Sequence, residues 1–357
     1  MTFADFMAAA LYDPAYGYYG SGRARIGRKG DFFTNVSVGP LFGRLLARQF
    51  DEMWRHLGKP DTFDIVEQGA HGGEFAGDAL GELRRIAPGC FSAARYTIVE
   101  PSATLRGLQE QALAEFGDKL RWQPSVAELG PFRGVHFSNE LLDAFPVHRV
   151  RWDGREWREL YVEARDGKLV CVAGGSCSAR VASRLGALPA GLPPGYEAEL
   201  NPGALEWTAS IAERLQAGWI LLIDYGYPRA EYYRPERTAG TLSAYSQHRR
   251  VDDPLERPGE IDLTSHVEFT SVAEAAEAAG LTVVGFVDQH RLMAGLGRLH
   301  FRDGEIPDPR ELRAFKTLMH PELMGASFKA LCFCRGVDAA PLSGFEFSRD
   351  PRSALGL

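Results

Sequence analysis

"DIVEQGAHGGEFAGDAL", residues 64–80, decides the fold. It reads as a buried strand, a glycine-rich turn and a helix start, the unit with which open α/β sheets hold nucleotide-like cofactors. Gly69 and Gly73 supply glycine to the turn. Counted from Gly69, however, the second and third positions of the G-x-G-x-x-G spacing hold His71 and Glu74. A dinucleotide needs its pyrophosphate at the helix N-terminus, and Glu74 puts negative charge there. S-adenosylmethionine (SAM) has no phosphate and carries a sulfonium, so the turn favours SAM over NAD.

The chain on either side fits the same frame. "RYTIVE" (95–100), "LRWQPSV" (120–126), "GVHFSNE" (134–140) and "WILLIDYG" (219–226) read as buried strands. "GEFAGDALGELRRIA" (73–87) and "SATLRGLQEQALAEF" (102–116) read as helices, the second with Ser102 as its N-cap. Strands alternating with helices predict right-handed βαβ units and a mostly parallel, Rossmann-like α/β sheet. Glu67, Glu100 and Asn139-Glu140 end three of the strands, where ligands of such sheets bind. Glu100 is placed to accept hydrogen bonds from both hydroxyls of a ribose.

The rhythm changes after Pro146. "VHRVRWDGREWRELYVEARDGKLVCVAG" (147–174) has short alternating strands separated by Asp153-Gly154 and Asp166-Gly167, both hairpin signals. The expected organisation is an N-terminal helical extension with a flap loop (1–58), a core (59–146 and 203–340), an antiparallel β insertion (147–202) and a C-terminal tail (341–357). Residues 227–269 show no strong periodicity and read as a long functional loop.

The totals narrow the function. With 357 residues, 45% hydrophobic and 24% charged, the chain is globular, and a net charge of −7 argues against nucleic acid as its partner. Cys90, Cys171, Cys177, Cys332 and Cys334 lack metal spacing, so no metal site is expected and a reducing compartment is. No apolar run approaches the roughly 20 residues of a membrane helix, and the start lacks a targeting pattern. The expectation is a cytoplasmic protein with no membrane partner, and apolar edge strands leave room for a homodimer.

Methyl transfer from a sulfonium is an in-line displacement that depends on positioning and charge placement. Glu140 and Asp143, three apart after a strand, read as two carboxylates converging on the pocket, placed to grip a methyl acceptor as a fork. Asp262, Thr264 and His266 alternate in "IDLTSH", and His266 reads as a base titrating near neutral pH. The basic loop "GSGRARIGRKGDFFTN" (20–35) reads as a flap over the cofactor, with Asp31, Phe33 and Thr34 at its inner end.

Six blocks carry a resemblance. They are "LYDPAYGYYG…GDFFTNVSVGPLFG", "VEQGAHGGEFAGDAL", "YTIVEPSATLRGLQEQAL", "SNELLDAFPVHRV", "LLIDYGY" and "RTAGTLSAYSQHRRVDDPLERPGEIDLTSHVEFT". In this order they resemble the MidA family of SAM-dependent methyltransferases, whose eukaryotic members are mitochondrial complex I assembly factors. The resemblance implies a class I methyltransferase sheet with an N-terminal helical extension and an insertion. It also implies arginine methylation on a protein, since the mitochondrial relatives dimethylate an arginine of a complex I subunit symmetrically. Gly69 and Gly73 match the family's glycine turn, Glu100 its ribose-binding acid, and Asn139, Glu140 and Asp143 its "NElfDA" block. His71 departs from it, because relatives usually carry glycine there. Two alternatives stay open: methylation of a small molecule or RNA, and a non-catalytic assembly factor that binds SAM weakly.

Overall fold

The computed structural model describes residues 1–21, 34–246, 249–301, 308–338 and 341–357. Asp31 and Phe33 of the expected flap lie outside the described residues. The chain forms two compact units.

The larger unit comprises Thr34–Leu141, Thr208–Gly226 and Phe269–Leu357. Its sheet contains β1 (Phe63–Gln68), β2 (Ala94–Val99), β3 (Leu120–Gln123), β4 (Phe132–Asn139), β5 (Leu215–Tyr227), β6 (Thr282–Asp288) and β7 (Phe328–Arg335). These lie in the order β6-β7-β5-β4-β1-β2-β3. The pairs from β3 to β5 are parallel, whereas β7 runs antiparallel to both of its neighbours. The expected mostly parallel sheet is therefore present, with one reversed strand. β5 begins at Leu215, directly after the helix Pro202–Arg214. Pairing with Phe132 of β4 claims Leu215 for the sheet.

β1 has β2 on one side and β4 on the other, so the strand order reverses at β1. This is where open α/β sheets bind ligands. In register, Glu67 pairs with Phe137 and Gln68 with Ser138. The turn after β1 and the end of β4 are thus neighbours. Beneath them Phe75 and Phe137 stack at 4.3 Å between ring centroids, with Phe42 and Phe50 against the pair. Burial of such aromatic clusters is the main favourable term holding the elements in place. Cys332 and Cys334 are buried in the same core, as their apolar context suggests.

The smaller unit comprises Met1–Phe33, Leu142–Trp207 and Tyr227–Glu268. Its helix Phe3–Tyr12 starts on a capping box between Thr2 and Asp5. The expected antiparallel sheet is present, in the order Lys168–Ala173, Trp157–Arg165, His148–Trp152, Glu197–Leu200. Asp166 and Gly167 both take positive φ (+50° and +75°), the backbone a two-residue hairpin turn demands. Residues 227–269, expected as a loop, instead hold a three-stranded antiparallel sheet of Arg249–Val251, Ser243–Ser246 and Asp262–Thr264. Strands of three or four residues are too short to show a period of two in the sequence. Among the described residues no helix is long and apolar enough to cross a membrane.

Candidate active site

The turn after β1 places Gly69, His71 and Gly73 in the left-handed region, at φ of +82°, +45° and +89°. Glycine adopts this backbone freely. For His71 it costs about 1–2 kcal/mol. Gly73 precedes the helix Glu74–Ile86, and a Cβ on it would come within 3.0 Å of Leu113. A Cβ on Gly72 would meet the Glu74 carboxylate at 2.5 Å, so Glu74 folds back over the turn. The positive end of this helix is therefore already faced by a carboxylate. A pyrophosphate would be repelled there. A phosphate-free adenosyl group bearing a sulfonium fits.

His71 is half-buried, and its carbonyl accepts a hydrogen bond from Gln109 Nε2 at 2.7 Å. Burial lowers the pKa of its ring, partly opposed by Glu74, so the imidazole is neutral at neutral pH. Gln109 Nε2 also donates to Glu100 Oε2 at 3.1 Å, and Gln109 Oε1 accepts from Trp122 Nε1 at 2.9 Å. This fully buried glutamine links the turn to the acid at the end of β2. Sequence reading missed it. Gln109 is the only buried residue of the helix Ala103–Ala112, and a lone glutamine on a polar helix gives no signal.

Glu100 is 8% exposed. Its Oε1 accepts the Ser102 N–H at 2.8 Å, which leaves each carboxylate oxygen room for a further donor. Burial raises its pKa, and the bonds from Ser102 and Gln109 counteract part of that rise. Glu67 behaves differently. It is buried, accepts the Tyr96 hydroxyl at 2.7 Å, and burial pushes its carboxyl from 4.5 up to about 8. Glu67 is thus largely protonated at neutral pH, and its hydrogen bond runs to Tyr96 inside the sheet.

At the end of β4, Glu140 sits in the left-handed region at φ +53°. Its N–H donates to Ile223 O at 2.9 Å, which continues the pairing with β5. Asn139 Nδ2 donates to Glu140 Oε1 at 2.9 Å, and the Asn35 N–H reaches the same oxygen at 3.3 Å. Buried Asp224, at the end of β5, accepts the Leu141 N–H at 3.2 Å and so secures the chain just beyond. Thr34 is buried, and its hydroxyl bonds Ser37 Oγ at 2.9 Å, closing the turn before the helix Leu41–His56. Glu67, Gly69, Gly73, Glu100, Asn139, Glu140 and Thr34 therefore all belong to the larger unit.

Asp143 and His266 belong to the smaller unit. Asp143 is buried in a turn, its carbonyl accepts the Ser265 N–H at 2.9 Å, and its charge helps raise the pKa of Tyr12 and Tyr19. The His266 N–H is held by Thr241 Oγ1 at 3.1 Å, and its ring lies 5.2 Å from that of Tyr227. Burial and the Arg237 charge depress the imidazole to about 4. The expected titration near neutral pH does not hold. His266 is neutral across the physiological range and a weak base.

Comparison with known proteins agrees with this geometry. Residues 45–287 match the sequence model of the family described as "Putative S-adenosyl-L-methionine-dependent methyltransferase". The chain is 29% identical to the Drosophila melanogaster protein named "Protein arginine methyltransferase NDUFAF7 homolog, mitochondrial", across 96% of this chain and 83% of that one. It is 25% identical to the Homo sapiens protein arginine methyltransferase NDUFAF7, across 99% of this chain and 84% of that one. A crystal structure from Burkholderia thailandensis bound to S-adenosyl-homocysteine superposes with a TM-score of 0.89 at 30% identity, covering 99% of this chain and 92% of the other.

Proposed function

The chain belongs to this family of SAM-dependent methyltransferases, and from that premise we propose that its acceptor is the guanidinium of an arginine on a protein. SAM, when bound, supplies a methyl group made electrophilic by its sulfonium. Glu100 is the group we assign to the ribose hydroxyls, with Gln109 holding it against the turn. Gly69 and Gly73 leave backbone space beside it, while Glu74 disfavours phosphate-bearing cofactors.

The observation that carries the acceptor reading is Glu140. A guanidinium is cationic at any accessible pH and a poor nucleophile while its charge is delocalised. A fixed carboxylate binds its N–H groups and concentrates electron density on the nitrogen that is methylated. Glu140 is such a carboxylate, held in strained backbone by two amide donors. The relatives named as protein arginine methyltransferases, alike over most of their length, support the reading. His266, neutral and weakly basic, is not assigned the role of proton acceptor.

The test is transfer of tritiated methyl from SAM into the protein fraction of a cell lysate, followed by acid hydrolysis. The expected label is methylarginine, and it disappears with Glu140→Gln. Label in another residue or in RNA would overturn the reading of the acceptor.

A further inference from the structure

Behind Glu140 lies a chain of side-chain amides from three distant parts of the sequence, with Asn139 half-buried next to the carboxylate. Gln289 and Asn35 are both fully buried. Gln289 Nε2 donates to Asn35 Oδ1 at 2.8 Å and to Leu318 O at 3.1 Å. Asn35 Nδ2 donates to Asn139 Oδ1 at 2.9 Å, and Asn139 Nδ2 donates to Glu140 Oε1 at 2.9 Å. The Asn35 main-chain N–H closes a second path to that same oxygen at 3.3 Å. All four residues belong to the larger unit.

The direction of this chain is fixed by its last member. An ionised carboxylate only accepts, so Asn139 must turn its NH2 toward Glu140. Its Oδ1 then faces Asn35, which must present NH2 in turn. Asn35 Oδ1 then needs a donor, and Gln289 Nε2 is that donor. Every amide thus has one permitted orientation, pinned by the Glu140 carboxylate at one end and by the Leu318 carbonyl at the other. The coupling runs both ways: a donor lost at Gln289 leaves Asn35 Oδ1 unpaired in the core, and the looser Asn35 weakens the grip on Asn139 and the carboxylate. Buried polar groups are costly unless fully bonded, and apolar residues of the same shape would fill the space with less penalty. Packing alone gives no reason for three amides in series. Holding Glu140 at φ +53° does, because strained backbone persists only where its surroundings over-determine it.

We propose that Asn35 and Gln289 are positioning residues that fix the Glu140 carboxylate for the methyl acceptor through the amide chain ending on Glu140 Oε1. The inference rests on the reading of Glu140 given above. Neither residue touches cofactor or acceptor in this role; each acts through the next amide.

Two near-isosteric variants test it. Gln289→Met keeps the volume and removes the donor. Asn35→Asp keeps the shape and replaces the donor facing Asn139 with an acceptor. With lysate protein as acceptor and tritiated SAM as donor, the maximal rate is expected to fall about tenfold in Gln289→Met and further in Asn35→Asp, equivalent to about 1.4 kcal/mol or more of transition-state stabilisation. The KM for SAM and the Kd for S-adenosyl-homocysteine by calorimetry stay within about twofold, since ground-state cofactor binding does not use the chain. A merely structural role would lower the rate only in proportion to the folded fraction that binds S-adenosyl-homocysteine.

A readout independent of turnover is a double-mutant cycle on urea unfolding for Gln289→Met and Glu140→Gln, residues linked through Asn35 and Asn139 along this chain. Non-additive midpoints are expected, and additive ones would overturn the proposal. So would full rates in Gln289→Met and Asn35→Asp while Glu140→Gln is inactive, which leaves the role of Glu140 standing. Full activity in Glu140→Gln would remove the carboxylate's role and the proposal together.

Discussion

The turn after β1 and the end of β4 lie side by side, and each holds a residue other than glycine in left-handed backbone. They treat that residue in opposite ways. At the β4 end, Glu140 is gripped by side-chain chemistry, its carboxylate taking donors from Asn139 and Asn35 while its N–H joins β5. In the turn, His71 is held by its main chain alone. Its carbonyl accepts from Gln109, and among the described residues its ring makes no hydrogen bond. Two similar values of φ therefore mean different things. Strain backed by a converging network points to a side chain that the site uses. Strain backed only through the peptide points to a conformation the turn requires, whatever residue occupies it.

The contrast is broken most readily at Glu140. Glu140→Gln keeps an oxygen for Asn139 and Asn35 and removes only the charge, so the fold and the Kd for S-adenosyl-homocysteine should be preserved while the methylation rate falls on the order of a hundredfold. A variant retaining most of the rate would make the β4 end as passive as the turn. On the cofactor side, Glu100→Gln loses the charge that strengthens bonds to hydroxyl donors. Calorimetry should show S-adenosyl-homocysteine binding about tenfold more weakly, roughly 1.4 kcal/mol. Unchanged affinity would remove Glu100 from the ribose.

Glu67 sharpens the comparison through pH. Its folded pKa of about 8 lies above the ordinary 4.5, so between these values the folded state binds a proton that the unfolded state has released. Stability attributable to it is complete below about pH 4.5 and is lost as pH rises toward 8, at up to about 1.4 kcal/mol per pH unit. The groups bearing on it are Tyr96, which donates a hydrogen bond, and Glu74, whose charge raises its pKa further. Urea midpoints measured from pH 5 to 8 should fall more steeply in the native chain than in Glu67→Gln. Equal slopes would show that Glu67 is ionised.

The smallest effect is expected at His71. Changing it to glycine relieves about 1–2 kcal/mol of left-handed strain, but it returns about 0.4–1 kcal/mol of chain entropy to the unfolded state. His71→Gly should therefore gain less than about 1 kcal/mol and leave S-adenosyl-homocysteine affinity within about twofold. A large loss of affinity would mean that the imidazole contacts the cofactor.

Much of this was written in the chain locally. Continuous apolar runs gave the strands, Ser102 gave a helix start that the structure confirms, and Asp166-Gly167 gave a hairpin. The glycine turn at Gly69 and Gly73 and the strand end before Glu100 were legible as local features, because a turn and a strand end are properties of neighbouring residues. Asn35, Gln109 and Gln289 were not. Each is a single amide whose meaning comes from a partner far away, 254 residues in the case of Gln289 and Asn35. The titration of His266 was equally hidden, since burial and Arg237 set it rather than its neighbours in "IDLTSH".

By itself, then, the sequence determined that this protein builds a mostly parallel sheet whose first turn suits a phosphate-free adenosyl cofactor. Periodicity, glycine and the sign of Glu74 are enough for that. Only the tertiary structure decided which polar groups would be charged, neutral or locked. Desolvation and hydrogen-bond direction are set by what surrounds an atom on all sides, and those surroundings exist only once distant segments have packed together.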